Sequence, residues 1–227
     1  MSVCPHECRR VVYNYQDQET PASSNRRTRQ EGGCLARRDK AFGERNPAAY
    51  GVAQMISPEY AELNRDKHRT STSFGTSGEL HAKTVATLAG EMSTNDVLDY
   101  GCGKGTLQAC LPFSIYEYDP CIPGKEEPPD PADLVACTDV MEHIEPEHLD
   151  AVLDDLVRVT KKKLYVNVSL VPALKLMPDG TNPHLIIETI EWWLPKFISR
   201  FSLKHFQSGG ESKGVSPSAF TAILDAK

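Results

Sequence analysis

The stretch Val97-Leu98-Asp99-Tyr100-Gly101-Cys102-Gly103-Lys104-Gly105 combines an apolar start, an acid and three alternating glycines. This pattern predicts a strand that ends in a tight turn and opens a helix. Glycine has no Cβ, so it adopts positive φ angles and lets the backbone approach a ligand closely. The first N–H groups of the following helix have no partner within the helix. We therefore expect a small-molecule site at residues 101–105, which we call the glycine turn.

The glycine spacing narrows the class of ligand. A dinucleotide-binding fingerprint would place its third glycine where this chain has Thr106. A P-loop ends in Gly-Lys-Ser or Gly-Lys-Thr, whereas here Lys104 is followed by Gly105. Asp119 lies 18 residues beyond Gly101, at the end of the next predicted strand. An acid at this place can accept hydrogen bonds from both hydroxyls of a ribose.

Helix-like and strand-like patterns alternate from Ser57 onward. Such alternation predicts an α/β fold with a mostly parallel sheet. Two closing strands, at 203–206 and 220–224, have no helix between them and indicate an antiparallel hairpin at one edge. In sheets of this kind ligands bind beyond the carboxyl ends of the strands. The segments expected to face one cleft are the glycine turn, Asp119, residues 137–143 and residues 169–184.

Composition divides the chain near residue 54. The first 54 residues hold nine Lys and Arg against six Asp and Glu and lack apolar periodicity. Such a segment cannot bury enough apolar surface to offset the entropy of ordering, so we predict a disordered basic extension over residues 1–54 and a folded domain over residues 55–227. No metal site is predicted, because Cys4, His6, Cys8 and Cys34 do not form the two closely spaced ligand pairs that are typical of a zinc site.

Charge and apolar content limit the partners. The chain carries a net charge of −6, and because the extension contributes +3, residues 55–227 carry −9. A surface of this sign does not attract phosphate backbones, so nucleic acid is not expected as a partner. No apolar run approaches the roughly 20 residues of a membrane span, so no membrane partner is expected. The odd number of cysteines, seven, favours reduced thiols in a cytoplasmic protein.

The chain resembles a class I S-adenosylmethionine-dependent methyltransferase of the small-molecule type over about residues 57–227. The motifs that carry this resemblance are residues 97–105, Asp119 and the block Asp133-Leu-Val-Ala-Cys-Thr-Asp-Val-Met-Glu-His-Ile144. The resemblance implies a Rossmann-like three-layer sandwich with S-adenosyl-L-methionine as its cofactor. It assigns to the cofactor site the residues Asp99, Gly101, Cys102, Gly103, Asp119, Cys137, Thr138 and Asp139.

Each group of these residues receives its own role from the resemblance. Asp99 would lie near the methionine amino group, and Asp119 would hold the ribose diol. Gly101 and Gly103 would line the methionine and ribose portion. Residues 137–139 would approach the methionine end, where the methyl group is transferred.

One βα unit of the family is reduced or missing after Asp119. The family usually has a further helix and strand there, whereas Asp119 and Asp133 are only 14 residues apart and the segment between them is rich in proline. The acid that usually contacts the adenine amino group belongs to this unit. Asp130 and Glu126 are the candidates to replace it.

The predicted reaction moves a methyl group to an oxygen or nitrogen of a small-molecule acceptor. The sulfonium methyl is already activated, so the protein has to align the acceptor and remove a proton. His143 and His184 are the predicted catalytic residues, because imidazole titrates near neutrality. A structural alternative leaves Glu142 solvated and makes His143 a cap of the following helix. Trp192 is expected on the cleft and Trp193 in the core.

An alternative function remains open at this point. The shortened adenine side is compatible with a cofactor-binding or degenerate module that has a regulatory or scaffolding role. The presence of Asp99, Gly101, Gly103 and Asp119 argues against that alternative. The Asn/Asp-Pro-Pro-aromatic motif of methyltransferases that act on nucleic-acid bases is absent, which again favours a small-molecule acceptor.

Overall fold

A computed structural model describes residues 55–210, 212, 214 and 216–227. The predicted basic extension lies outside these residues, as do Cys4, His6, Cys8 and Cys34. None of the described helices is long and apolar enough to cross a membrane. The described α-helices are α1 (Pro58–Thr70), α2 (Gly78–Glu91), α3 (Thr106–Cys110), α4 (Leu149–Val159) and α5 (Ile190–Ile198). The strands are β1 (Val97–Tyr100), β2 (Tyr116–Tyr118), β3 (Ala132–Thr138), β4 (Thr160–Ser169), β5 (Phe201–Gly209) and β6 (Ala219–Ala226).

The described strands form one six-stranded sheet in the order β2-β1-β3-β4-β6-β5. β1 pairs in parallel with β2 and β3, and β3 pairs in parallel with β4. β6 runs antiparallel to both β4 and β5. The predicted mostly parallel sheet with an antiparallel hairpin at one edge is therefore confirmed. Both closing strands are longer than predicted, because they pair from Phe201 with Ala226 to Gly209 with Ala219.

Helices cover both faces of the sheet, which confirms the predicted Rossmann-like three-layer sandwich. Successive side chains of a strand point to opposite faces. In β3, Leu134 belongs to the core beneath α2 and α3, whereas Val135 belongs to the core beneath α4 and α5. Burying one such aliphatic side chain contributes roughly 1.5–3 kcal/mol. The helix residues buried on the two faces include Val85, Leu88 and Leu107 on one, and Leu153, Leu156, Trp193 and Phe197 on the other.

The connection between β2 and β3 contains neither helix nor strand. Residues 119–131 form turns and irregular backbone, and β2 is an edge strand of the described sheet. The prediction that one βα unit is reduced or missing after Asp119 is therefore confirmed. Arg158 of α4 contacts this connection through the Pro129 carbonyl.

Asp155 of α4 is a buried carboxylate that links β1 to the shortened connection. Its Oδ2 accepts a hydrogen bond from the Tyr100 hydroxyl at 2.9 Å, and its Oδ1 pairs with Nε of Arg158 at 2.6 Å. Nη1 of Arg158 donates to the Pro129 carbonyl at 3.0 Å. Burial and the adjacent Asp155 charge raise the pKa of Tyr100, so its hydroxyl remains a donor.

Removal of the Asp155 carboxylate should destabilise the fold, because the Tyr100 hydroxyl would be buried without an acceptor and the Arg158 guanidinium would lose its partner. We expect Asp155→Ala to lower the free energy of unfolding by about 2–4 kcal/mol, measured by urea denaturation. The matched control is Asp154→Ala, because the Asp154 side chain is 58% exposed and pairs with Arg200 at the surface. Its loss should be about 0–1 kcal/mol. Equal losses of unfolding free energy in Asp155→Ala and Asp154→Ala would contradict the idea that the buried position of Asp155 makes its contacts important for stability.

Candidate functional site

A cleft of about 590 Å³ opens at the carboxyl ends of the parallel strands. This volume lies within the roughly 300–1,000 Å³ that is typical of small-ligand sites. Ser169, the last residue of β4, lines the cleft together with residues that directly follow β1, β2 and β3. The predicted site residues that line it are Gly101, Gly103, Asp119, Asp139, His143 and His184.

Two glycines of the glycine turn are required by the packing of the protein itself. Gly101 has a φ of +81°, and a Cβ there would lie 2.4 Å from Cγ2 of Val140. Gly103 has a φ of +50°, and a Cβ there would lie 2.7 Å from the carbonyl oxygen of Gly75. A residue without a Cβ is therefore needed at both positions. The close approach of Gly75 places residues 71–77, which we call the cover loop, directly against the glycine turn.

Hydrogen bonds from Lys104 hold the cover loop and the end of α1. The backbone N–H of Lys104 donates to the Gly75 carbonyl at 2.9 Å, and its Nζ donates to the His68 carbonyl at 2.6 Å. Phe74 packs edge-on against His68 with ring centroids 4.8 Å apart, and it faces His143 at 5.9 Å. No residue of the cover loop belongs to the predicted site. Its one sequence signal is Gly75, which stands among small polar residues.

The carboxylate of Asp119 joins the glycine turn to the loop after β2. Oδ2 accepts a hydrogen bond from the N–H of Gly103 at 3.0 Å, and Oδ1 accepts one from the N–H of Cys121 at 2.8 Å. The side chain is buried but borders the cleft. Each carboxylate oxygen retains a lone pair, so the group can accept further hydrogen bonds from a ligand.

Asp99 precedes the glycine turn within β1 and does not line the cleft. It is only 3% exposed. Burial, followed by the charges of Glu117 and Asp119, raises its pKa to about 7, while Lys125 opposes this shift. Asp99, two residues before Gly101, therefore carries a carboxyl group that is partly ionised near neutral pH.

The other predicted cofactor residues that lie away from the cleft surface are Cys102, Cys137 and Thr138, and all of them are buried. Cys137 is fully buried in the core beneath α4 and α5. Burial raises the pKa of both thiols. Because a thiol must lose its proton to act as a nucleophile, neither cysteine is suited to nucleophilic catalysis.

Asp139 has a left-handed backbone conformation directly after β3, with a φ of +53°. Aspartate tolerates this conformation better than most residues do. Its N–H donates to the Asn167 carbonyl at 3.2 Å, which joins this turn to β4. The chain then enters the short 3₁₀ turn Met141–His143, and Asp139 lies on the cleft.

Glu142 is fully buried, so the alternative that left it in solvent is wrong. Its Oε1 accepts a hydrogen bond from the N–H of Ser169 at 3.0 Å. Its backbone carbonyl accepts from the N–H groups of Leu185 and Ile186 at 2.7 and 3.1 Å. Burial, followed by the charge of Asp139, raises the pKa of the carboxyl group to about 8. The alternative role of His143 as a helix cap is also wrong, because α4 has no side-chain cap.

His143 and His184 lie side by side, with ring centroids 4.8 Å apart and planes at 85°. Nδ1 of His184 lies 2.6 Å from the Val171 carbonyl oxygen. A carbonyl can only accept, so Nδ1 carries the proton and Nε2 of the neutral ring retains a lone pair. Burial lowers the pKa of both rings, and the neighbouring His184 helps to bring that of His143 to about 3. Both imidazoles are therefore neutral at neutral pH.

Other expected neighbours of the ligand lie outside the cleft lining. The Trp192 ring is covered instead by Nζ of Lys196, which lies 4.0 Å from the ring centroid. Glu126 and Asp130 are exposed and do not line the cleft either. Trp193 is fully buried, and its predicted place in the core is confirmed.

Comparisons with known proteins give a family and a fold. The family described as "Methyltransferase domain" matches residues 65–209, which is more than half of the 227-residue chain. No curated protein sequence gives a significant match.

Solved structures with a similar fold include the N-methyltransferase NodS from Bradyrhizobium japonicum WM9 in complex with S-adenosyl-L-homocysteine. Its TM-score is 0.51 at 12% identity, over 73% of this chain and 98% of that chain. The 1,6-didemethyltoxoflavin-N1-methyltransferase of Burkholderia thailandensis, with bound 1,6-didemethyltoxoflavin and S-adenosylhomocysteine, also has a TM-score of 0.51 at 12% identity, over 74% of this chain and 89% of that chain. At such identity these matches show a shared fold.

The family match covers the elements that build the cleft. It begins within α1, includes the glycine turn, Asp119 and both histidines, and ends at the last residue of β5. The sheet order and the position of the cleft at the strand ends are consistent with this family match. The chain belongs to the methyltransferase domain family.

Proposed function

We propose that this protein transfers a methyl group from S-adenosylmethionine to a small-molecule acceptor. The observation that carries the proposal is the position of Asp119, whose carboxylate borders the cleft while it holds the N–H of Gly103. The family match supports methyl transfer. The similar solved structures are complexes with S-adenosylhomocysteine, the product of such a cofactor, which supports the choice of cofactor.

The cofactor would lie along the glycine turn. Asp119 would accept hydrogen bonds from the ribose hydroxyls through its remaining lone pairs. Gly101 and Gly103 would allow the methionine and ribose portion to approach the backbone. Asp99 would stabilise the methionine ammonium through its charge. The buried side chains of Cys102, Cys137 and Thr138 would fix the backbone beneath the cofactor, and Asp139 would border the methyl group.

The acceptor would occupy the end of the cleft that is bordered by His143 and His184. Leu80 and Leu174 also line the cleft and are 77% and 81% exposed. An apolar rim of this kind favours an acceptor that has an apolar part. The net charge of −9 on residues 55–227 disfavours a nucleic acid in this place.

Methyl transfer needs alignment and one proton acceptor. A lone pair on the acceptor oxygen or nitrogen would attack the methyl carbon in line with the carbon–sulfur bond. The electron pair of that bond would pass to sulfur, which yields S-adenosylhomocysteine. The proton of the acceptor would pass to an imidazole nitrogen with a free lone pair, such as Nε2 of His184.

The ribose assignment of Asp119 can be tested by comparing two ligands by calorimetry, S-adenosylhomocysteine and its 2′,3′-dideoxyribose analogue. In the wild type, loss of the hydroxyls should weaken binding at least about tenfold, or about 1.4 kcal/mol. In Asp119→Asn, binding of S-adenosylhomocysteine should fall by a similar factor, and the two ligands should bind about equally. The comparison separates ribose contact from structural damage, since a damaged turn would weaken both ligands. If the variant still prefers the hydroxylated ligand as strongly as the wild type, the assignment is wrong.

The Asp99 assignment predicts a pH dependence of cofactor binding. The free carboxyl has a pKa of about 7, and a nearby ammonium would lower that pKa. Binding should therefore release a proton below about pH 7, and affinity should rise as the pH increases from about 5 to about 7. Calorimetry in buffers of different ionisation enthalpy measures this release. Asp99→Asn should remove it, whereas Asp96→Asn, at a surface pair with Lys161, should not.

A non-catalytic cofactor-binding module is the competing function, and the missing βα unit favours it. Release of S-adenosylhomocysteine in the presence of a metabolite panel distinguishes the two functions. Turnover of any small molecule supports the proposed enzyme. Binding of S-adenosylhomocysteine without turnover of any acceptor would support the module, and no binding at millimolar concentration would contradict both.

A further inference from the structure

Three potential metal ligands converge where the end of β3 meets the loop after β4. A carboxylate oxygen of Glu142 and one ring nitrogen each of His143 and His184 lie within 4.8 Å of one another. Ligands that share a cation at bond lengths of about 2.1 Å are separated by about 3.4 Å, so the spacing in the cluster is at most about 1.4 Å wider than in a site that holds a cation. The two histidines line the cleft, so the cluster adjoins the proposed acceptor end.

Two buried polar atoms of the cluster have no hydrogen-bond partner among the described residues. Oε2 of Glu142 and Nδ1 of His143 are buried and have no hydrogen-bond partner. A buried polar atom without a partner costs about 1–3 kcal/mol, and such atoms are rare in folded proteins. Oε1 of Glu142 is already bound by the Ser169 N–H, which fixes the carboxyl group and leaves Oε2 for another ligand.

The second histidine is oriented in the way that metal ligands usually are. Nδ1 of His184 donates to the Val171 carbonyl, and this hydrogen bond fixes both the tautomer and the ring orientation. Metal-bound histidines typically donate their other N–H to a carbonyl or a carboxylate in this way. Asp139 lies on the same cleft and adds negative charge near both Glu142 and His184.

We propose that Glu142, His143 and His184 bind a divalent transition-metal ion. Two imidazole nitrogens and one carboxylate oxygen suit Zn²⁺, Mn²⁺ or Fe²⁺ better than Mg²⁺ or Ca²⁺, which prefer oxygen ligands. A site with this many protein ligands leaves coordination positions for solvent or substrate. Here those positions would face the cleft.

This inference deepens the proposed function and rests on it for the role of the metal. The two histidines would then be ligands, and the acceptor would be a hydroxyl whose oxygen binds the cation. The cation would lower the pKa of that hydroxyl, so its proton passes to solvent. The oxygen would form the new bond to the methyl carbon while the carbon–sulfur pair passes to sulfur. A hydroxyl acceptor is therefore favoured over an amine.

Mn²⁺ is the probe for the binding test, because thiols prefer softer metals and the extension contains Cys4, Cys8 and Cys34. The full chain would be treated with a chelator, dialysed and titrated with Mn²⁺ while electron paramagnetic resonance reports the free ion. We expect about one bound Mn²⁺ per wild-type chain.

Two conservative variants test the ligands without removing their structural hydrogen bonds. Glu142→Gln retains an oxygen for the Ser169 N–H and replaces Oε2 by an amide nitrogen. His184→Asn retains a donor near the position of Nδ1 and lacks Nε2. Both should weaken Mn²⁺ binding by at least about tenfold, whereas His205→Ala, at an exposed position of β5, should bind like the wild type.

The possible outcomes separate the metal site from the methyltransferase function. Absence of Mn²⁺ binding to the wild type, or equal binding in Glu142→Gln and His184→Asn, would overturn the metal site. If chelated protein still transfers methyl groups at the wild-type rate, the proposed function stands and the catalytic role given to the metal is wrong. Mn²⁺ binding that depends on both ligands supports the site, even if S-adenosylhomocysteine does not bind and the proposed function fails.

Discussion

The carboxylate of Asp119 is the contact on which the arrangement of the cleft depends. One of its oxygens holds the N–H of Gly103 and the other holds the N–H of Cys121. These two hydrogen bonds join the glycine turn to the loop after β2, and the positive φ of Gly103, which has no Cβ, lets Gly75 approach the turn closely. The buried Asp119 side chain thus joins the glycine turn to the loop after β2, and the Lys104 N–H joins the glycine turn to the cover loop.

Several ionisable side chains at or near the cleft are buried or partly buried. Asp99 and Glu142 have raised pKa values mainly because burial disfavours their charged forms, and the pKa values of His143 and His184 are lowered for the same reason. Near neutral pH, both imidazoles are therefore neutral and retain a lone pair, and a nearby positive charge would lower the pKa of Asp99. A sulfonium cofactor with an ammonium group, and a cation at the histidines, both suit such a site.

The sequence allowed prediction of the fold because the decisive signals are local. Alternating helix and strand patterns, the glycine turn and the short proline-rich segment after Asp119 each lie within a few residues. The position of the cover loop against the glycine turn was not predictable, because it depends on a contact between Gly75 and Gly103, which are distant in sequence. The burial of Glu142 was missed for a similar reason. It results from the return of the chain at Leu185 and Ile186, and no local pattern encodes that return.

The shortened connection also has a consequence for how molecules of this protein meet one another. It leaves β2 at one edge of the described sheet, and an open edge is a template on which another chain can add a strand. This edge has only three residues, and its central Glu117 pairs with Lys125 at 3.1 Å. Prolines, which cannot donate to a strand ladder, follow at 120, 123, 128, 129 and 131. The edge is therefore a poor template for aggregation, although the βα unit expected after Asp119 is missing.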